Sequence, residues 1–289
     1  MDTITHTLFG LTLYGTFDKK DFSKQEKRAL LFTTIVGSQI PDIDVISRIW
    51  DTEGQYQMWH RGITHSIFMV PVWAILLALL CYLFWRVKDR RIFLMGALAV
   101  FVHNTSDLFN AWGTGYLEPF STVRITFGTI PIIDFVIWGV MLTGFIIAKK
   151  SKWPSYRVYR FVWVAIVLHV TIQTSQGYII YQQISPNYEQ QALSAGFVPW
   201  NYTVFGKNGG TVEVVQANLW SEPVVQIVLQ SDESADLDTL FNEKPEAKTL
   251  YEWSPFVVIV DDDELLGIYD PRFYRNGQSF LFEYIEKER

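Results

Sequence analysis

Four of the five histidines in this 289-residue chain stand beside carboxylates in short motifs. Imidazole and carboxylate together are metal-ligand chemistry. His6 follows Asp2 by four residues, one helical turn, so the two can share a face. Asp42 and Asp44 sit in Pro41-Asp42-Ile43-Asp44, and His60, Arg61 and His65 in His60-Arg61-Gly62-Ile63-Thr64-His65-Ser66. His103, Asp107 and Asn110 lie at i, i+4 and i+7, on one face of a helix, and Asp134 opens a later apolar run. Such a set suits Zn²⁺ first and, being rich in carboxylates, Mn or Fe as well. A bound ion would bring the pKa of a coordinated water near neutrality and so supply a nucleophile. With more than four candidate ligands, the pattern fits one metal and its supporting partners, or two metals close together. His60 and His65 are five apart, about 140° around a helix, so they cannot both enter one site from regular helix. One of them sits in a loop, or their roles differ.

Arg61 and Arg124 are the arginines nearest these motifs. A guanidinium beside a metal suits a phosphate or carboxylate through paired hydrogen bonds. Arg124 reads equally well as an anchor snorkelling to lipid headgroups. His169, midway along an apolar stretch, reads as a packed core residue. The run of four acids at 261–264 reads as a solvated turn rather than a cation site. The only cysteine, Cys81, excludes an intrachain disulfide framework and argues against thiolate ligation. The chain contains no phosphate-binding loop, nucleophile elbow or dinucleotide fingerprint. No nucleic-acid partner is expected.

The elements that must position these residues are strongly apolar. The composition is 49% hydrophobic and 16% aromatic, with positive mean hydropathy, beyond that of an ordinary soluble enzyme. Residues 66–87 carry almost no charge before Arg86, enough helix for about 30 Å of hydrocarbon. Segments 130–148 and 158–180 are further candidate spans; 92–102 and 29–40 are shorter and read as spans or as buried helices of a bundle. The beginning of the sequence lacks the basic region and cleavage site of a signal peptide, so its apolar stretch is expected to be retained. Polar and ionisable side chains in or near a bilayer are costly. A lone histidine there reads as an interfacial residue, whereas four with several carboxylates read as one shared site.

Charge is distributed unevenly. Residues 1–180 hold 17 Lys/Arg and 12 Asp/Glu, a net +5, and residues 181–289 hold 7 and 18, a net −11. Every second connecting segment is basic: 17–28, 86–91 and 149–160. By the positive-inside rule these stay cytoplasmic, which puts the histidine-bearing loops, both termini and the acidic tail outside. In the tail, TVEVV alternates as a half-buried strand, the Asn208-Gly209-Gly210 turn fits a hairpin, and FVVIV and FLFEYI read as further strands. The expected fold is therefore an α-helical membrane bundle of about four to six helices, some short or half-spanning, over residues 1–184, followed by a small acidic β-rich extracytoplasmic domain over 185–289.

The motifs MDTITHTLFG, GSQIPDID, HRGITHS, HNTSDLFNAWGT and LEPFSTVR, in this order over residues 1–140, resemble the YdjM-like family of membrane-bound, metal-dependent hydrolases. The resemblance does not reach the tail. It implies a helical inner-membrane domain with hydrolase activity, and its matched polar positions are His6, Asp42, Asp44, His60, Arg61, His65, His103 and Asp107. The texture is also distantly similar to the α-helical zinc-dependent phospholipase C and P1 nuclease group, which cuts phosphoesters. The resulting expectation is a plasma-membrane hydrolase acting on a membrane lipid or membrane-associated phosphoester. His6, Asp42, His65, His103 and Asp107 would hold a divalent metal, zinc foremost. His60, Arg61 and Asp44 would serve catalysis, and Arg61 and Arg124 would hold the phosphate. Two other readings compete: a non-enzymatic membrane protein with a structural or ion-carrying metal site, and a glycosyltransferase using Asp42 and Asp44. The first is disfavoured as a transporter because 67–84 contains no polar side chain that would line a pathway. The second needs a cytoplasmic site, which the loop charges oppose.

Overall fold

The computed structural model describes residues 1–275 and 277–287. In chain order the helices are α1 (Thr3–Gly15), α2 (Lys24–Gly37), α3 (Tyr56–Trp59), α4 (Met69–Trp85), α5 (Arg90–Leu108), α6 (Phe135–Lys150), α7 (Ser155–Ile184), α8 (Leu237–Glu243) and α9 (Pro245–Trp253). The strands are β1 (Gln190–Ala195), β2 (Tyr202–Asn208), β3 (Thr211–Asn218), β4 (Ser221–Gln230), β5 (Val258–Asp261), β6 (Leu265–Tyr269), β7 (Tyr274–Arg275), β8 (Gln278–Ser279) and β9 (Phe282–Glu286). The amino-terminal half is helical and the carboxy-terminal region is rich in antiparallel sheet. The chain divides into two compact units. One comprises Met1–Asp44, Arg61–Thr126 and Ile130–Thr174, the other Val45–His60, Phe127–Thr129 and Ser175–Arg289.

In the helical unit, short polar side chains fix where each helix starts. Asp2 accepts from the Ile4 and Thr5 amides, Ser23 and Glu26 form a reciprocal capping box, and Asp134 accepts from Val136 and Ile137. Two glycines set the helix approaches: a Cβ at Gly10 would meet Thr34 O at 2.7 Å, and one at Gly37 the Ala99 Cβ at 2.9 Å. Small residues let helices of this kind touch backbone to backbone. Interior packing is apolar around Leu30, Leu77 and Val100, and around Phe9, Ile137 and Ile166. The outward faces are apolar as well: Ile75, Phe84, Leu142 and Val164 are each more than 60% exposed.

Among the described residues, only α7, with its continuation to Asn187, is long and apolar enough on its own to cross a bilayer; the number rises to three if each of two bent helix pairs counts as one span. The expected candidates at 66–87 and 130–148 form α4, of 17 residues and part of one of those bent pairs, and α6, of 16, each shorter than its apolar run. The cause is capping. Ser66 holds extended backbone ahead of α4, Arg86 ends it in the left-handed region at φ 57°, and Asp134 delays the start of α6.

In the second unit, β1–β4 form an antiparallel meander, β5–β6–β9 a three-stranded sheet, and β7–β8 a small hairpin. The hairpin expected at 208–210 is present: Asn208 pairs with Thr211 across Gly209-Gly210, and Gly209 takes φ 52°, which glycine adopts without penalty. Phe205, Val212, Leu229, Phe256 and Val258 build one core, and the end of α7 packs Ile180 and Ile184 against Leu193, Tyr202 and Val204. Helices α8 and α9 within this region were not anticipated.

Candidate metal centre

Three elements deliver the four residues of the centre. Asp42 comes from the 3-10 turn Ile40–Ile49 after α2, and His65 from the 3-10 turn Ile63–His65 before α4. His103 and Asp107 project from one face of α5, one turn apart. Ligand atoms of all four lie within 4.8 Å of one another, with His65, His103 and Asp107 fully buried. His65 Nε2 is 3.1 Å from His103 Nε2, 3.2 Å from Asp42 Oδ1 and 3.5 Å from Asp107 Oδ2. His103 Nε2 is 3.5 Å from Asp42 Oδ1 and 3.8 Å from Asp107 Oδ2. A tetrahedral ion with N and O ligands at its usual bond lengths separates them by about 3.3–3.4 Å, so these spacings suit one.

Tautomers decide what the four atoms present to each other. His103 Nδ1 lies 2.7 Å from the Ser38 carbonyl, which can only accept, so Nδ1 carries the hydrogen. His65 Nδ1 lies 3.2 Å from Asp44 Oδ2 and 3.0 Å from Thr64 Oγ1, and the Thr64 hydroxyl donates to Asp44 at 2.6 Å. His65 Nδ1 is therefore also the donor. Both Nε2 atoms point inward as lone pairs, facing carboxylate oxygens. A proton would relieve one of these contacts; a divalent cation relieves all of them. Backbone carbonyl and carboxylate partners on the outer nitrogens are the usual supports of metal-bound histidines. The donor set fits a divalent metal.

The other singled-out residues divide by position. His6 is fully buried, its ring stacked 3.8 Å from that of His103 and its Nε2 3.4 Å from Asp107 Oδ1. Neither of its ring nitrogens has a hydrogen-bond partner among the described residues. The Met1 amino group also meets Asp107 Oδ1. Asp44 stands behind His65, turned to its Nδ1. His60 belongs to the second compact unit, where its ring lies parallel to Tyr56 at 5.5 Å. Of the two nearby histidines it is thus His65, in the loop-like turn, whose nitrogen enters the four-atom cluster.

Arg61 is 6% exposed and holds φ 56°, left-handed backbone that is strained for any side chain with a Cβ. Its amide donates to Asp44 Oδ2 at 2.9 Å, Nη1 to Asn110 Oδ1 at 3.0 Å, and Nε stands 3.3 Å from Asp107 Oδ2. Its carbonyl accepts from Gly115 N and from Arg124 Nη1, both at 2.8 Å. Arg124 Nη2 is 3.5 Å from Glu118 Oε1, with both side chains largely shielded from solvent. Burial pushes the Glu118 carboxyl above its ordinary pKa against the pull of Arg124, and the same burial lowers the Arg124 guanidinium. Glu118 and Thr64 were missed in the sequence; both lie inside quoted motifs, but only tertiary contact gives them a partner. His169 is not simply packed: its Nε2 donates to Asp134 Oδ2 at 2.9 Å.

The family model described as YdjM inner membrane protein matches residues 1–180. Among curated proteins, the uncharacterized protein YfhP of Bacillus subtilis (strain 168) is 37% identical over 138 residues, which is 46% of this chain and 42% of that one. The chain thus spans less than half the length of that relative. No solved structure matches the chain.

Proposed function

The chain belongs to the YdjM inner membrane protein family, and on that footing we propose that it is a membrane-bound, metal-dependent hydrolase that cleaves a phosphoester such as a phospholipid headgroup. Asp42, His65, His103 and Asp107 hold the ion, with His6 stacked beside them as a further ligand, and zinc suits the set better than manganese or iron. Once bound, a divalent ion supplies the Lewis acidity that brings a coordinated water to a pKa of about 7. Asp44 keeps His65 in the tautomer that turns Nε2 inward. Arg61 and Arg124, one fixed by Asn110 and the other by the Arg61 carbonyl, orient the substrate phosphate. The alternating basic loops support an extracytoplasmic position at the plasma membrane for this centre and for the β-rich region.

The observation that carries the reading is the convergence of two imidazoles and two carboxylates, their ligand atoms within 4.8 Å of one another and three of the four residues buried. Elemental analysis of the purified protein should find a stoichiometric transition metal, absent from His65→Ala and His103→Ala. Release of headgroup or of a chromogenic phosphodiester product should disappear with the metal and return on its readdition. Stoichiometric metal without any hydrolysis would favour the structural or ion-carrying site; no metal at all would defeat both.

A further inference from the structure

We propose that the β-rich region is seated on the bilayer through two neighbouring turns, 196–201 and 219–220, whose apolar tips enter the lipid interface. The proposal rests on the membrane character of α7 and the family, and is independent of the hydrolase reading. Neither turn carries a charged side chain. Yet Val198 is 65% exposed, Trp220 62%, Phe197 53% and Trp200 44%. Clustered exposure of this kind is uncommon on a water-facing surface and marks contact with something apolar.

Three observations select lipid as the occupant. The first is cohesion: the Trp200 and Trp220 rings meet edge to face at 6.1 Å, and Asn218 Nδ2 donates to Asn201 Oδ1 at 3.4 Å, so the turns form one tip. The second is strain: Trp200 holds φ 66°, a region a bulky residue rarely adopts, while its indole stays outward. The third is depth. Leu219 and Trp220 line a cavity with Ile180, Gln183 and Ile184 of α7. Counted from the last basic residue of α7, Arg160, about twenty residues at roughly 1.5 Å each reach Ile180, one hydrocarbon thickness away. The tip therefore stands level with the point where α7 leaves the hydrocarbon. Tryptophan favours that layer, with its ring in the acyl boundary and its N–H among headgroups.

The full-length protein in liposomes of mixed zwitterionic and anionic phospholipid supplies the test. Single spin labels are introduced at Val198→Cys, Trp220→Cys and, as a reference on α8, Asp238→Cys; the unsubstituted protein measures background from buried Cys81. The ratio of oxygen to nickel-chelate accessibility should be severalfold higher at 198 and 220 than at 238. Ratios equal to that at 238 would overturn the proposal. So would exclusion of both probes at 198 and 220, which would mean that protein, a second copy of the chain, covers the tip.

Discussion

The helical unit buries two histidine–aspartate groupings, and they are organised in opposite ways. At Asp134 and His169, each acceptor has a donor. Asp134 Oδ1 takes the Val136 and Ile137 amides, and Oδ2 takes His169 Nε2. At Asp42, His65, His103 and Asp107, the outer nitrogens are satisfied by Ser38 and Asp44 while both inner nitrogens converge on the carboxylates, Asp107 also meeting the Met1 amino group and Arg61. The residue types are the same in both places, and each grouping is largely shielded from solvent. The difference is which side of each imidazole the scaffold occupies, and so whether the pair is a closed contact or a set of ligands.

That contrast is broken most directly at the inward nitrogens. His65→Ala or His103→Ala should remove stoichiometric metal as measured by elemental analysis, a larger effect than the roughly 10–100-fold loss of affinity that follows removal of an orienting partner. Asp44→Asn tests that smaller effect. The amide can still accept from the Arg61 amide but no longer offers His65 Nδ1 a full charge, so metal affinity in a chelator competition should fall by about 10–100-fold while the metal remains bindable at saturation. An affinity unchanged by Asp44→Asn would return Asp44 to a role apart from His65.

How far these arrangements could be read from sequence differs residue by residue. The shared face of His103 and Asp107 follows from their spacing alone, and the conflict between His60 and His65 follows from helical angle, which is why the turn at Ile63–His65 resolves it. The hairpin at Asn208–Thr211 was legible because only glycine takes its backbone at low cost. What lay beyond the sequence was set by tertiary contact. The Ser38 carbonyl, Thr64 and Asp44 fix tautomers across 65, 1 and 21 residues of chain respectively. Apolar runs also overstate helix length, because they record composition while caps such as Asp134 and Arg86 decide where helices start and stop. The short helices α8 and α9, seven and nine residues, carry too little periodicity to stand out among strands.

The closed pair offers the counterpart on stability. His169→Leu leaves Asp134 Oδ2 buried without its donor, at a cost of about 1–3 kcal/mol. Thermal unfolding in detergent should shift down accordingly, with metal content unchanged. A loss of metal from His169→Leu would mean that the two groupings are coupled and the contrast is false.

The sharpest comparison applies one substitution to both. Asp134→Asn keeps an oxygen to cap α6, since asparagine caps helices about as well as aspartate. Its amide N–H₂ can face His169, which need only change tautomer to accept rather than donate, so a hydrogen bond survives in reversed sense. The expected cost is under about 1 kcal/mol, no more than an ordinary neutral hydrogen bond contributes. At Asp107 the same exchange acts differently. The Ser38 carbonyl and the Asp44 carboxylate keep the outer hydrogens of His103 and His65 in place, so an amide N–H₂ would donate to the inward lone pairs, occupying the ligand atoms and removing an anionic oxygen. Asp107→Asn should therefore lose its metal, and Asp134→Asn should keep both metal and fold. Equal behaviour of the two variants in paired metal and unfolding measurements would show that the inward lone pairs do not define the centre.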